Sequence, residues 1–181
     1  TVPILSRSRK NVLAIGRLEA QKNFKDLIIA LSNSSFTVDI YGDGSLKNNL
    51  IDLAKRENTN VNFKGKTSYS ELQNIYNEYV FFISTSLYEG NPKTILEAQS
   101  SGCLVIVLDE KNTSEIIING KTGIILKNKK EILKTLIKLS EDDKRIEFIS
   151  NNACKETLKI NGLLNNVKID ISDFNKLIKK N

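Results

Sequence analysis

The chain has 181 residues, 40% of them hydrophobic and 27% charged, with a formal net charge of +6 and an isoelectric point of about 9.2. That length suits one full domain or one half of a two-domain enzyme, and the apolar fraction is enough for a packed core. Histidine is absent, which excludes a Ser-His-Asp triad, a histidine-built zinc site and imidazole acid–base catalysis within this chain.

Chemistry here must therefore rest on carboxylates, Lys, Arg, hydroxyls and backbone dipoles. The positive balance suggests anionic partners: nucleotides, phosphorylated substrates, nucleic acid or an acidic membrane surface. It does not choose among them, and a Lys-rich solvated surface explains it equally. Cys103 and Cys154 make no metal or redox spacing. Cys103 lies in an apolar run and reads as core, which fits a reducing compartment. There is no signal-peptide pattern, and no apolar run approaches the roughly 20 residues of a membrane span. The first residue is Thr1 rather than Met, as expected of a processed or excised piece.

Residues 1–10, TVPILSRSRK, carry Pro3 and no periodicity, and are expected to be a linker or leading segment. A strand is expected over Asn11–Ile15, followed by Gly16-Arg17 and, five residues after Arg17, Lys22. A helix over Phe24–Leu31 comes next. Both cations fall at or just beyond the carboxyl end of a strand. There the planar fork of Arg can bridge phosphate oxygens and Lys supplies a compact charge. Taken alone they also read as two solvated cations, with Glu19 able to pair with Lys22.

The second strand, Phe36–Tyr41, runs into Gly42-Asp43-Gly44-Ser45 and a helix over Ser45–Lys55. The two glycines resemble the start of a dinucleotide fingerprint. The third glycine position holds Lys47 and the ribose-acid position holds Asn62, so the fingerprint fails. A tight turn that needs glycine's backbone freedom is the better reading. The third strand, Val61–Lys64, is followed by Gly65-Lys66-Thr67, and Gly120-Lys121-Thr122 repeats that triplet. A Walker loop needs a glycine five positions before each, where Asn60 and Glu115 stand, so neither qualifies. No Asp-x-Asp occurs. A helix over Tyr69–Tyr76 and a strand over Tyr79–Ser84 follow.

After that strand come Glu89-Gly90-Asn91-Pro92, a helix over Thr94–Ser100, and a strand over Cys103–Leu108. Seven residues separate Glu89 from Glu97. Asn91 suits an N-cap and Pro92 the first helical position. The amides of Lys93, Thr94 and Ile95 would then face an anion, helped by the helix dipole. Gly90 would let a ligand approach the backbone, and each ionised glutamate could accept from a sugar diol. Taken alone, Glu97 also reads as an i,i+4 partner of Lys93, and Glu89 as an exposed turn acid. The ligand reading gains from coincidence, because cations, helix amides and acids all map to carboxyl ends of strands. Thr122–Leu126 adds a short sixth strand, and helices are expected over Lys130–Leu139 and Lys144–Lys159. Residues 11–164 thus form one α/β unit with a parallel sheet of about six strands flanked by helices. Residues 165–181 are expected to be a terminal helix with a basic tail.

On these residues the sequence resembles the C-terminal, donor-binding half of a group 1 retaining glycosyltransferase of the glycosyltransferase-B fold. The matching segments are Gly16-Arg17-Leu18 with Lys22-Asn23, Tyr41-Gly42-Asp43-Gly44, Val61-Asn62-Phe63-Lys64-Gly65, Ser86 through Pro92, and Leu96-Glu97-Ala98. Ser101-Gly102-Cys103-Leu104-Val105 and Glu115 through Gly123 complete an ordered series spanning about residues 11–158. The resemblance implies a Rossmann-like domain that binds a UDP-sugar or GDP-sugar donor and needs no cofactor or metal. It implies that Arg17 and Lys22 neutralise the departing diphosphate and that Glu89 contacts sugar hydroxyls near the transferring carbon. By the same resemblance Glu97 holds the ribose, and Gly90, Asn91 and Pro92 line the sugar. Amides of Thr94 and Ile95 would touch the phosphates, Gly65 and Lys66 would border the base, and Gly16 and Gly44 would sit in turns near the nucleotide. Asn91 stands where the family often has Phe, and Gln99 where Met is common.

The implied reaction is transfer of a hexose-type sugar, with retention, to a glycan or lipid-linked acceptor in capsule, lipopolysaccharide or other surface polysaccharide biosynthesis. The acceptor would be bound by an N-terminal domain not in this chain, so the piece alone is expected to be inactive. A cytoplasmic location is implied, and the basic charge is compatible with peripheral contact at the inner membrane face. A sugar-nucleotide epimerase or phosphorylase of the same plan is an alternative, though such enzymes commonly need a His or a cofactor-bearing Lys. A non-catalytic anion-binding module is another. Nucleic acid is not expected, since the basic tail has no aromatic beyond Phe174.

Overall fold

The computed structural model describes residues 3–88, 90, 92–109 and 113–159. Six strands make one sheet: β1 (Ser8–Ile15), β2 (Thr37–Tyr41), β3 (Asn60–Gly65), β4 (Tyr79–Ser84), β5 (Leu104–Leu108) and β6 (Ile124–Leu126). Their order is β3-β2-β1-β4-β5-β6, and every neighbouring pair is parallel. The direction of winding reverses between β1 and β4, the point in such sheets beyond whose strand ends ligands settle.

The helices are α1 (Phe24–Ala30), α2 (Lys47–Arg56), α3 (Tyr69–Tyr76), α4 (Lys93–Ser100), α5 (Thr113–Ile116) and α6 (Lys130–Ser140), with α7 over residues 143–159. Strand alternation sorts them onto two faces. Val12, Ala14, Phe81, Ile83, Leu104 and Ile106 pack against α1, α2, α6 and α7. Their neighbours Leu13, Phe82, Val105 and Val107 pack against α3 and α4. Every residue of β5 is buried, as a central parallel strand covered on both faces requires. Edge strand β3 alternates exposed and half-buried positions instead.

Most bounds shift from expectation by one or two residues, and three departures matter: the start of the first strand, an added short helix and the start of the fourth helix. The first strand starts at Ser8, not Asn11, so residues 8–10 belong to the sheet rather than to a leader. Ser8 pairs with Tyr79, and the register shifts before Val12; burial alternates over residues 8–11, but Ser8, Arg9, Lys10 and Asn11 are all polar, so no apolar pattern marks them in the sequence. Ile4 and Leu5 also pack on the core. The short α5 had no sequence signal, because its 4 residues cannot display a helical period. The fourth helix begins at Lys93 with Pro92 as its N-cap, one residue before the expected Thr94 and one position later than an Asn91 cap implies. The expected terminal helix and tail over 165–181 lie outside the described residues. Among the described residues no helix is long and apolar enough to cross a membrane.

Candidate donor-binding site

Three loops at the carboxyl ends of β1, β2 and β3 are welded through their backbones. The Gly16 amide donates to the Tyr41 carbonyl at 3.0 Å, Leu18 N–H to Asp43 O at 3.0 Å, and Gly42 N–H to Gly65 O at 2.8 Å. This closeness demands glycine. Gly42 has φ +141°, and a Cβ there would lie 1.9 Å from the Gly16 oxygen. A Cβ on Gly44 would lie 2.6 Å from the Leu18 oxygen. The Gly-Asp-Gly turn therefore supports the loop that carries Arg17.

Within that loop Ala20–Lys22 form a 3-10 turn, ended by Asn23 at φ 48°. The half-buried Lys22 folds its stem over Gly16, with side-chain carbons 3.1–3.2 Å from where a Gly16 Cβ would stand. The loop is stitched in turn to the segment after β4. Leu87 N–H donates to Gln21 O at 2.8 Å, Gln21 Nε2 to Tyr88 O at 3.1 Å, and Thr85 Oγ1 to Asn23 O at 3.0 Å. The Arg17–Lys22 loop and the turn leading to Glu89 are thus neighbours, as the sequence reading expected. Glu89 and Asn91 themselves lie outside the described residues. Gly90 is exposed, with nothing within 4 Å of a Cβ built there.

The first turn of α4 corrects one expectation. Ile95 N–H donates to Pro92 O at 2.9 Å, so that amide is not available to a phosphate. With Pro92 as the cap, Ile95 is the third helical residue, and its N–H is taken by the carbonyl three residues back in a 3-10-type first turn. Thr94 is half-buried at the same helix start.

Glu97 is not a solvated surface acid, for its side chain is only 19% exposed. Its Oε2 accepts from the Tyr76 hydroxyl at 3.1 Å. Its Oε1 is buried without a hydrogen-bond partner, and Lys93 Nζ stands 3.7 Å away as the i,i+4 neighbour. A buried carboxylate oxygen with spare acceptor capacity is costly unless something completes it. Burial, then the charge of Glu97, push the Tyr76 hydroxyl above its ordinary acidity range, so it stays a donor.

Two cavities meet at this corner. One, of about 320 Å³, lies between α3 and α4 and is lined by Tyr69, Leu72, Tyr76, Lys93 and Glu97 among others. A second, of about 270 Å³, is lined by Gly16, Arg17, Gly42, Asp43 and Lys66, and it shares Leu72 with the first. Arg17 and Lys66 are exposed there, and Gly65, at φ +76°, bends the chain between β3 and Lys66. Together the cavities offer a cationic rim at one end and a half-satisfied carboxylate at the other. Among the described residues no group of three or more His, Cys, Asp or Glu side chains is placed to hold a metal ion. Tyr76 escaped the sequence reading. It occupies an ordinary core position at a helix end, and its hydrogen-bond target lies on another helix.

The model for the family "glycosyl transferases group 1" matches residues 4–156. The chain is 30% identical over 161 residues to the UDP-Gal:α-D-GlcNAc-diphosphoundecaprenol α-1,3-galactosyltransferase of Escherichia coli, covering 82% of this chain and 40% of that protein. It is 28% identical over 153 residues to the N-acetylgalactosamine-N,N'-diacetylbacillosaminyl-diphospho-undecaprenol 4-α-N-acetylgalactosaminyltransferase of Campylobacter jejuni, covering 80% and 41%. The chain therefore spans about 40% of the length of such curated relatives. The crystal structure of Anabaena HepE in complex with UDP superposes with a TM-score of 0.80 at 18% identity, covering 94% of this chain and 50% of that one; this likeness is one of fold. From the turn at Ile4 to the last described helix, this chain belongs to the group 1 glycosyl transferase family.

Proposed function

We propose that this chain is the donor-binding half of a retaining, metal-independent glycosyltransferase that uses a nucleotide sugar. The observation that carries the reading is Glu97, whose carboxylate is held by Tyr76 through one oxygen and left buried without a hydrogen bond at the other. Such an acceptor suits the vicinal hydroxyls of a ribose. The cavity beside it adjoins the one rimmed by Arg17 and Lys66, which suits the diphosphate and base.

In this reading departure of the diphosphate builds negative charge on phosphate oxygens and positive charge on the sugar ring. Arg17 and Lys22 stabilise the first by preorganised electrostatics, the role a metal ion fills in other transferases. Glu89, next in the chain after Tyr88, contacts sugar hydroxyls and is not a nucleophile. The names of two relatives, which act on diphosphoundecaprenol-linked sugars, and a structural neighbour holding UDP support a hexose-type donor and a lipid-linked acceptor in surface-glycan synthesis. The net charge of +6 suits work beside an anionic membrane face. Acceptor binding falls to a second domain.

Thermal-shift titration with UDP, GDP, ADP and a short RNA tests this. One nucleoside diphosphate is expected to raise the melting temperature. Arg17→Ala should weaken that ligand by roughly 10- to 100-fold, the worth of a charge-assisted phosphate contact, and Glu97→Ala by at least roughly tenfold. A salt-sensitive RNA response with no nucleotide effect would sink the proposal.

A further inference from the structure

We infer that Tyr76 is a positioning residue for the ribose of a nucleoside diphosphate: its hydroxyl fixes Glu97 Oε2 and so commits Oε1 to the ribose diol. This rests on the donor-site reading above and adds to it a residue that never touches the ligand. The argument begins with what Glu97 would be without help. A glutamate one turn into a helix has several rotamers, and fixing it for recognition costs side-chain entropy on binding. Tyr76 settles that cost beforehand.

Tyr76 is rigid enough for the task. It is 1% exposed. Its ring meets Phe82 with centroids 6.0 Å apart at 56°. Its own carbonyl accepts from Arg7 Nη1 at 3.3 Å and from Cys103 Sγ at 3.2 Å. Its hydroxyl has one proton and two acceptors in reach, Glu97 Oε2 at 3.1 Å and Thr94 O at 3.3 Å. The nearer, charged acceptor takes it, because hydrogen bonds to ionised groups are the stronger kind.

Lys93 completes the arrangement. Its Nζ stands 3.7 Å from Oε1 and 4.4 Å from the centroid of the Tyr69 ring, and its side chain is 63% exposed. That spacing gives Oε1 a counter-charge without a hydrogen bond. The exposed Lys93 side chain can swing aside while Tyr76 keeps the carboxylate in place. A diol arriving through the cavity then meets an acceptor whose direction is already set.

Calorimetry separates this from a role in packing alone. The wild-type chain and Tyr76→Phe are titrated with whichever of UDP or GDP the wild type binds, and with the matching 2',3'-dideoxy nucleoside diphosphate. Tyr76→Phe is expected to weaken the ribose ligand by roughly five- to tenfold and to leave the affinity for the dideoxy ligand unchanged. In a Glu97→Ala background the same change should have no further effect on the ribose ligand, which keeps the test independent of any general loosening. Equal weakening of both ligands, or no weakening of either, overturns the inference while leaving the donor site standing. A wild-type chain that binds neither nucleotide overturns the donor site and the inference with it.

Discussion

Gly42 and Gly90 show how differently two glycines in turns after strands are constrained. A Cβ on Gly42 would lie 1.9 Å from the Gly16 oxygen at φ +141°, so two loops would have to part. Gly42→Ala is expected to cost about 2–4 kcal/mol of stability and to loosen the Arg17 loop, both readable by urea unfolding and nucleotide titration. Gly90 has open space around it. Gly90→Ala should change stability by no more than about 0.5 kcal/mol, so any loss of nucleotide-sugar binding there reports contact with ligand. An unfolding cost for Gly90→Ala matching that of Gly42→Ala would refute the distinction. The sequence marked Gly42-Asp43-Gly44 as a turn needing glycine. It could not show why, because the atoms that forbid a side chain belong to Gly16 and Leu18. Asp39 was invisible for the same reason. It looks like a polar lapse in an apolar strand, yet it is 2% exposed and accepts from Tyr79 at 2.7 Å, Asn62 at 2.7 Å and Asn11 at 3.2 Å.

Elements are placed by their ends. The third helix opens with a capping box, in which Ser68 Oγ accepts from Glu71 N–H and Glu71 Oε2 from Ser68 N–H at 2.9 Å. Ser68→Ala is expected to cost about 1 kcal/mol, read as a lower urea midpoint with unchanged slope. Its bounds and those of β4 matched the sequence expectation, since caps, apolar spacing and turn residues agree there. The first strand did not match, because its polar residues 8–10 carry no apolar signal and join the sheet through the pairing of Ser8 with Tyr79 of β4, and α4 did not match, because Pro92 takes the cap rather than the first helical position. Helices α1 and α6 are joined by Lys129 Nζ at 2.6 Å from Asp26 Oδ1, while Asn23 donates to the other carboxylate oxygen at 3.0 Å. Partial burial pushes the Asp26 carboxyl up, but these two hydrogen bonds outweigh it and hold the group below its ordinary value of 3.8. A depressed folded value means that the bridge stabilises fully above pH of about 3.8 and fades as pH falls through the folded value. Lys129→Met should therefore destabilise by about 1 kcal/mol at neutral pH, with the gap closing toward pH 3. A gap independent of pH would assign the effect to packing of the lysine stem.

At the scale of the molecule, one side of the sheet holds its protons more tightly than the unfolded chain can. Tyr76, Tyr79 and Cys103 all pack in the cluster beneath α3 and α4. Burial raises all three above their ordinary values of 10.0, 10.0 and 9.0, with Cys103 reaching about 12 despite the opposing charge of Arg7. Hydrogen bonding to Asp39 adds to the effect at Tyr79. A raised folded value stabilises below the unfolded value and is lost as pH climbs. Above pH of about 9 the unfolded chain has begun to release protons that the fold retains, so stability must fall. Each group contributes a slope of about 1.4 kcal/mol per pH unit once its unfolded form is ionised. These three groups add no slope between pH 7 and 8, Cys103 adds one from about 9, and the tyrosines steepen it from about 10. The Phe variant at position 79 separates this from the titration of surface lysines, which is common to both chains. Tyr79→Phe is expected to be less stable at pH 7 by about 1.5–3 kcal/mol, the worth of a hydrogen bond to a charged group. Its decline above pH 10 should be shallower than wild type by about 1.4 kcal/mol per unit, so that the two urea-unfolding curves converge as pH rises. Parallel declines would mean that Tyr79 releases its proton equally in both states, and that the carboxylate of Asp39 does not hold it.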